Sequence, residues 1–302
     1  MDESGSIAEK GVLYVVATPI GNLRDMTFRA VDILNSVDLV AAEDTRHTAK
    51  LLSFYNIRAK LIACHEYNEA QCAERLAAKL ASGQSAALVS NAGTPSISDP
   101  GYRIVKEVVA AGIRVIPIPG ASAAIAALSA SGMPSDMFCF VGFAPKKKGA
   151  RDVFLQSLSH RKETLVFYES PRRLRAMLAE ISHHMGDRYV VVARELTKIH
   201  EEFLRGPVSE IIGLVEDRVS IKGEVTLLVT GTSDKADVDE NRLEEEILQS
   251  LSEKRLSPSR LAASLAKRYN LSKNDIYQAI LAVQSRIDTP GSGTDKGGPV
   301  HG

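Results

Sequence analysis

Short apolar runs rich in Val, Ile, Leu and Ala recur through the first 120 residues, each breaking into polar and small residues before a helical pattern begins. Val12–Ala17, Leu39–Ala42, Lys60–Ala63, Ala86–Val89 and Arg114–Ile118 have strand length and composition. Between them lie helical patterns: one capped by Asp25 or Thr27 and running to Asn35, one ending near Tyr55, and the Ala/Leu/Glu/Lys-rich segment Glu69–Ser82. Two more strand–loop–helix units follow, the last closing at Ser131. Strands alternating with helices predict a doubly wound parallel five-stranded sheet, whose ligands sit outside the carboxyl ends of the strands.

Gly132–Met–Pro–Ser–Asp136 reads as a linker, after which the rhythm resumes with different spacing. Strands are expected at Met137–Phe143, Thr164–Tyr168, Tyr189–Ala193, around Phe203 and at Val225–Thr230, with helices at Arg151–Ser159, Pro171–Met185 and Pro207–Val215. Short connections such as Glu201–Gly206 suit antiparallel neighbours, so the second sheet is expected to be mixed. A third unit is purely helical, with N-caps expected at Ser257 and Ser272 and Pro258 in a first helical position. The expected organisation is a disordered lead over 1–10, α/β domains over 11–132 and 136–232, a small helical module over 241–287 and a disordered tail over 288–302.

Lys plus Arg equals Asp plus Glu at 37 each, so overall charge points to no nucleic-acid partner. No apolar run approaches the roughly 20 residues that cross a bilayer, and the start MDESGSIAEK is polar, so neither membrane nor signal peptide is expected. Cys64, Cys72 and Cys139 are few and lack metal-ligand spacing, in keeping with a reducing cytoplasm. Polar clusters end four of the strands of the first sheet: Thr18–Asn22, Glu43–His47, His65–Asn68 and Ser90–Pro100. The fifth ends in the small-residue turn Pro119–Ser122. They converge on one rim and predict one large site. No G-x-G-x-x-G follows the first strand and no P-loop occurs. His47 and His65 belong to no H-x-x-x-H pair, which points away from a metal. Glycine- and amide-rich loops without a phosphate motif suit a neutral or zwitterionic cofactor held by backbone groups.

The stretches LYVVATPIGNLRDMTFRAVDIL, LVAAEDTRHT, LVSNAGTPSISDPGY, IPGASAA, FYESPRRL, ARELTK and KGEVTLLV resemble the tetrapyrrole methylase superfamily. They are most similar to its branch that methylates the 2′-hydroxyl of a cytidine in 16S rRNA of the small ribosomal subunit, and Lys254–Arg260 resembles that branch's helical module. The resemblance implies two α/β domains with S-adenosyl-L-methionine bent into the cleft between them, in a homodimer. It also assigns residues. Asn91, Ala92, Gly93, Thr94, Ala121, Ser122, Phe167, Tyr168, Lys222, Gly223 and Glu224 match cofactor positions. Pro19, Gly21 and Asn22, with Glu43, Asp44, Thr45 and Arg46, match motifs on the substrate side. The branch usually carries Asp where this chain has Asn91, which removes a negative charge from the cofactor loop.

A 2′-hydroxyl is a poor nucleophile, so transfer requires alignment with an activated methyl and help in removing a proton. Glu43, Asp44, Arg46, Glu195 and Lys198 are the principal catalytic candidates, with Lys222 and Glu224 beside them; sequence does not choose the base. Arg46 and Arg194 have the alternative role of holding phosphates. Between Pro145 and Arg175 nine basic residues face three acidic ones. Lys146, Lys147, Lys148, Arg151, Arg172 and Arg173 are therefore the expected RNA surface, against the alternative of a solvated helix face. The competing functions are methylation of a small tetrapyrrole, which needs no basic patch, and a non-catalytic ribosome-binding or assembly factor, which Asn91 alone favours.

Overall fold

A computed structural model describes residues 7–232, 240–252, 257–269 and 273–287. The expected tail, Ser272 and residues 1–6 of the expected lead lie outside the described residues, as do three residues of Lys254–Arg260. The chain divides into two compact units, Met1–Gly231 and Thr232–Gly302.

The larger unit begins with five strands, β1 (Val12–Val16), β2 (Leu39–Ala42), β3 (Leu61–Ala63), β4 (Ala86–Val89) and β5 (Arg114–Ile118), all parallel in the order β3-β2-β4-β1-β5. The helices between them are α1 (Phe28–Ser36), α2 (Thr45–Phe54), α3 (Glu69–Ala81), α4 (Tyr102–Ala110) and α5 (Ala123–Ser131). Their caps follow from side-chain chemistry: Thr27 accepts from Ala30 N–H ahead of α1, and Asp44 from Arg46 and His47 N–H ahead of α2. β2 and β4 are buried at every residue, as a sheet covered on both faces requires.

Past Gly132–Asp136 a second sheet forms from β6 (Phe138–Phe143), β7 (Thr164–Glu169), β8 (Tyr189–Arg194), β9 (Glu202–Pro207) and β10 (Val225–Val229). The order is β6-β7-β10-β8-β9, with β6 parallel to β7 and the remaining pairs antiparallel. Glu201–Gly206, read from sequence as a short connection, is almost entirely strand β9. The connection that makes β8 and β9 antiparallel neighbours is residues 195–201. One face of the sheet packs on α6 (Lys148–Leu158), α7 (Leu174–Met185) and α8 (Val208–Glu216) through Phe167, Leu155, Met177 and Ile211. The opposite face packs Val166, Val191, Ala193 and Leu228 against Ala124, Ala127 and Leu128 of α5 and against Ile20. The loops of the first sheet are thereby held against the face of the second.

Cys64 and Cys72, at the end of β3 and in α3, are joined by a disulfide, a pairing their spacing did not announce. Glu202 on β9 accepts from Arg194 at 3.0 Å and from both terminal nitrogens of Arg218 at 2.6–2.7 Å. The two guanidinium groups, Arg218 foremost, hold its carboxyl at about 2. A carboxyl depressed in the folded state stabilises above its unfolded value near 4.5, and that contribution is lost as pH falls toward 2. Glu202→Gln is expected to lower stability at pH 7 by about 1–2 kcal/mol after solvent screening, with the gap closing near pH 2. Denaturant unfolding of both proteins at pH 7 and pH 2.5 checks this.

The smaller unit contains α9 (Glu240–Ser252), α10 (Pro258–Tyr269) and α11 (Lys273–Ile287), packed through Ile247, Leu265, Ile276 and Ile280. Pro258 opens α10, and the Ser257 carbonyl accepts from Arg260 and Leu261 N–H. No described helix is long and apolar enough to cross a membrane.

Candidate active site

β1 is the axis of the site, because its neighbours β4 and β5 send their exit loops over its carboxyl end. Thr18 and Gly93 exchange both backbone hydrogen bonds, at 2.8 and 3.0 Å. The Thr94 hydroxyl donates to Ala121 O at 3.2 Å, stitching the β4 loop to the β5 loop. A cavity of about 340 Å³ opens beside this shelf, between it and the face of the second sheet. Ala92, Gly93, Thr94 and Ser122 line one side; Tyr168, Glu169, Gly223 and Glu224 line the other. Asp99 and Glu224 are the acidic residues that line it on the Tyr168 side of β7, and no Lys or Arg does; Glu169, on the Phe167 face, turns its carboxyl to Arg173. Such a wall suits a cationic or zwitterionic ligand and repels a polyphosphate. Phe143 and Tyr168, ring centres 5.7 Å apart, add aromatic faces that can lie against a cation.

The expected cofactor residues divide by strand alternation. Tyr168 faces the cavity and its hydroxyl accepts from Ala124 N at 3.3 Å, while burial pushes that hydroxyl's pKa up. Phe167, expected beside it, points the other way and is fully buried in the core with α7. This is a correction that the two-residue period of a strand demands. Lys222 is exposed and off the wall, its carbonyl accepting from Arg194 at 3.1 Å. Ala121 contributes its carbonyl and core packing instead of wall. Asn91 is also off the wall. Its N–H donates to Glu43 at 3.3 Å, and its amide oxygen is buried without a hydrogen-bond partner among the described residues.

Asp99 lies in LVSNAGTPSISDPGY, where the resemblance gives it no role, and it is the most perturbed group that lines the cavity. Burial, with Glu43 adding repulsion, raises its pKa to about 6. Its loop is firmly held. The buried Glu69 of α3 accepts from Gly101 N at 2.8 Å and Arg103 N at 3.0 Å, and Ser98 lies under the bulge of β6 at Gly142. The signal available in sequence was a carboxylate flanked by Ser and Pro at a strand exit; its burial depends on the second sheet.

At the cavity mouth Lys198 donates to Glu195 at 2.8 Å and to Glu224 at 3.1 Å, and Glu224 N–H donates to Glu195 at 3.0 Å. The carboxylates hold Lys198 as a cation, and Lys198 in turn holds Glu195 below the usual carboxylate range. Neither is poised as a base near neutral pH. Gly21 and Gly223 permit this cluster. A Cβ at Gly21 would sit 2.6 Å from Lys198 Cγ, and one at Gly223, whose φ is +95°, 2.3 Å from the Glu195 carboxyl. Glu195 and Thr197 themselves adopt left-handed backbone, a conformation that persists only where surroundings enforce it.

The remaining expected site residues are scattered. Asp44 caps α2, and the N–H groups it accepts, those of Arg46 and His47, keep its carboxyl ionised. The Arg46 side chain is 91% exposed. Pro19 is buried, and Asn22 accepts from Arg24 N–H. Lys146, Lys147, Lys148 and Arg172 are exposed, as an RNA surface requires. Arg151 and Arg173 are not part of that surface. Arg151 is buried against Glu180 and donates to Pro145 O and Lys146 O at 3.1 and 3.0 Å. Arg173 donates to Glu169 at 2.7 Å and Ala144 O at 3.3 Å. Both brace the backbone that displays the lysines. Among the described residues no group of three or more His, Cys, Asp or Glu is placed to hold a metal.

Residues 12–212 match the family model for Tetrapyrrole (Corrin/Porphyrin) Methylases. The chain is 48% identical over 280 residues to "Ribosomal RNA small subunit methyltransferase I" of Escherichia coli O157:H7, covering 91% of this chain and 96% of that protein. It is 49% identical over 232 residues to the protein of the same name from Halalkalibacterium halodurans, covering 77% and 80%. Among solved structures, the methyltransferase CobJ superposes with a TM-score of 0.55 at 18% identity, covering 74% of this chain and 95% of that one. Uroporphyrin-III-C-methyltransferase from Thermus thermophilus gives 0.52 at 21%, covering 73% and 94%. These two establish the fold alone. With its two sheets, its stitched loops and this similarity over most of its length, the chain belongs to the tetrapyrrole methylase family, among the ribosomal RNA small subunit methyltransferase I proteins.

Proposed function

We propose that this methyltransferase uses S-adenosyl-L-methionine to methylate the 2′-hydroxyl of a cytidine in 16S rRNA of the small ribosomal subunit, acting in the cytoplasm as a homodimer. The observation that carries the reading is the cavity lining, which has the carboxylates of Asp99 and Glu224 and no basic residue, beside an exposed lysine run. That wall fits a sulfonium and an ammonium, and the lysines fit the phosphates of the other substrate. Ala92, Gly93, Thr94, Ser122, Tyr168, Gly223 and Glu224 would hold the cofactor, which supplies an activated methyl. Within this reading 11–132 and 136–232 are the two methylase domains and 241–287 an accessory module.

The chain's own residues then divide the work. Asp99, with a pKa near 6, accepts the proton of the acceptor hydroxyl near neutral pH. Lys198 steadies the negative charge that develops on that oxygen, held in place by Glu195 and Glu224. Gly21 leaves room for Lys198 over the substrate loop. Labelled S-adenosylmethionine with purified small subunits, followed by mapping of the modified nucleotide, is expected to show one 2′-O-methylcytidine. Label on a porphyrinoid with none on subunits would refute the reading. The triple variant Lys146→Glu, Lys147→Glu and Lys148→Glu is expected to raise KM for subunits at least about tenfold and leave cofactor affinity unchanged.

A further inference from the structure

Two aromatic side chains stand in solvent at the carboxyl rim of the first sheet, and the cofactor cavity does not use them. Tyr67 is 95% exposed and Tyr102 67% exposed. Phe28 and Phe54 are exposed as well, so exposure alone marks nothing; what sets these two rings apart is that they share one rim with exposed guanidinium groups. Local hydrogen bonds hold the backbone at both. Tyr67 is the middle residue of the 3₁₀ turn Glu66–Asn68, where His65 N–H donates to Asn68 Oδ1 at 2.8 Å and Asn68 Nδ2 donates to Ala63 O at 3.1 Å. Tyr102 is the first residue of α4.

The two tyrosines are brought to one place by a single buried contact. Glu69, two residues past Tyr67, accepts from the N–H groups of Gly101 and Arg103, which flank Tyr102. Asp99 is two residues before Gly101. The β3 and β4 exits are two strand spacings apart, about 10 Å, with the β2 exit between them. That middle exit carries Arg46, 91% exposed with its Nε 3.6 Å from Asp44, and Arg103 follows Tyr102, 67% exposed with its Nε 3.9 Å from Glu69, which leaves the outer guanidinium nitrogens of both toward solvent. Aromatic faces alternating with guanidinium groups beside a reacting centre match unpaired nucleotides, whose bases stack and whose phosphates take Arg. A small apolar ligand has no use for the cations, and a duplex has no free base faces to offer.

We propose that Tyr67, Tyr102, Arg46 and Arg103 form a subsite for single-stranded RNA flanking the methyl-acceptor nucleotide, with bases stacked on the tyrosines and phosphates held by the arginines. The inference rests on the RNA reading above and adds which part of the RNA is gripped and by what. It also requires the acceptor segment to be unpaired when bound.

The chain contains no tryptophan, so Tyr67→Trp places one fluorophore at the subsite. Its emission is expected to be quenched by a single-stranded RNA oligonucleotide of about ten residues and left unchanged by the same sequence in a duplex. Tyr67→Ala is expected to weaken small-subunit affinity and raise KM by about 5- to 100-fold. Cofactor affinity should stay at the wild-type value, and Tyr67→Phe should restore RNA binding because stacking needs the ring and not the hydroxyl. Unchanged subunit affinity in Tyr67→Ala, while the wild type binds and methylates subunits, would overturn the subsite alone. Equal loss of cofactor and RNA affinity in Tyr67→Ala would overturn it as well, by making Tyr67 a structural residue. A wild type that neither binds nor methylates subunits would overturn the RNA reading and the subsite together.

Discussion

Asp99→Asn is expected to lower kcat for methyl transfer by about 10²–10⁴ while making the protein more stable at pH 8. Both effects come from one environment. Burial and the neighbouring Glu43 raise the carboxyl pKa to about 6, which makes it a better proton acceptor near neutrality than an ordinary aspartate. The same shift costs stability. Between about 3.8 and 6 the folded state keeps a proton that the unfolded chain has lost, so stability falls as pH rises through that window. Above it the cost is complete, about 1–2 kcal/mol after solvent screening, and Asn avoids it. Wild-type kcat should therefore rise through about pH 6, and the variant should lack that limb. Initial rates from pH 5 to 9 with saturating substrates, together with thermal melts at pH 5 and pH 8, read both. Unchanged kcat in a folded variant would remove Asp99 from the proton path, leaving Glu43 as the next carboxylate to test.

The fold was readable because the signals were local. The five parallel strands were each short, apolar and closed by turn residues, and β2, β4 and β5 have the limits their composition predicts. The site was less readable because its decisive features are not local. Tyr168 and Phe167 are neighbours in a matching motif, and only the register of β7 against β10 says which of them faces the cavity. Asp99 is an ordinary loop residue until the second sheet covers its loop and Glu43 approaches from β2's exit. In EDTRHT, Asp44 and Arg46 are the N-cap and the first turn of a helix, a structural part that the motif alone does not separate from a chemical one. Asn91 replaces a charge on the cofactor loop, yet it does not line the cavity, and the contact it makes with Glu43 is through its backbone N–H.

The basic stretch shows the same limit, and there the test is one of stability. Arg151 sits on α6 between two outcomes: counted as charge it joins the RNA surface, but as placed it is 7% exposed and paired with Glu180, itself 8% exposed. Removing one partner strands the other charge in the core of the second sheet. Glu180→Ala is therefore expected to destabilise the protein by about 3–5 kcal/mol, the largest loss among the side chains discussed. Converting both to methionine removes both charges and keeps the volume, so most of that stability should return, and denaturant unfolding of the single and double variants measures the difference. The double variant also separates the two roles. The carbonyls of Pro145 and Lys146 lose a donor but lie close enough to the surface to take water, so the lysines stay displayed. Subunit affinity should then remain within about threefold of wild type, because no phosphate contact has been removed. A stable double variant with a larger loss of RNA affinity would return Arg151 to the binding surface, and would mean that the Arg151–Glu180 pair opens when RNA arrives.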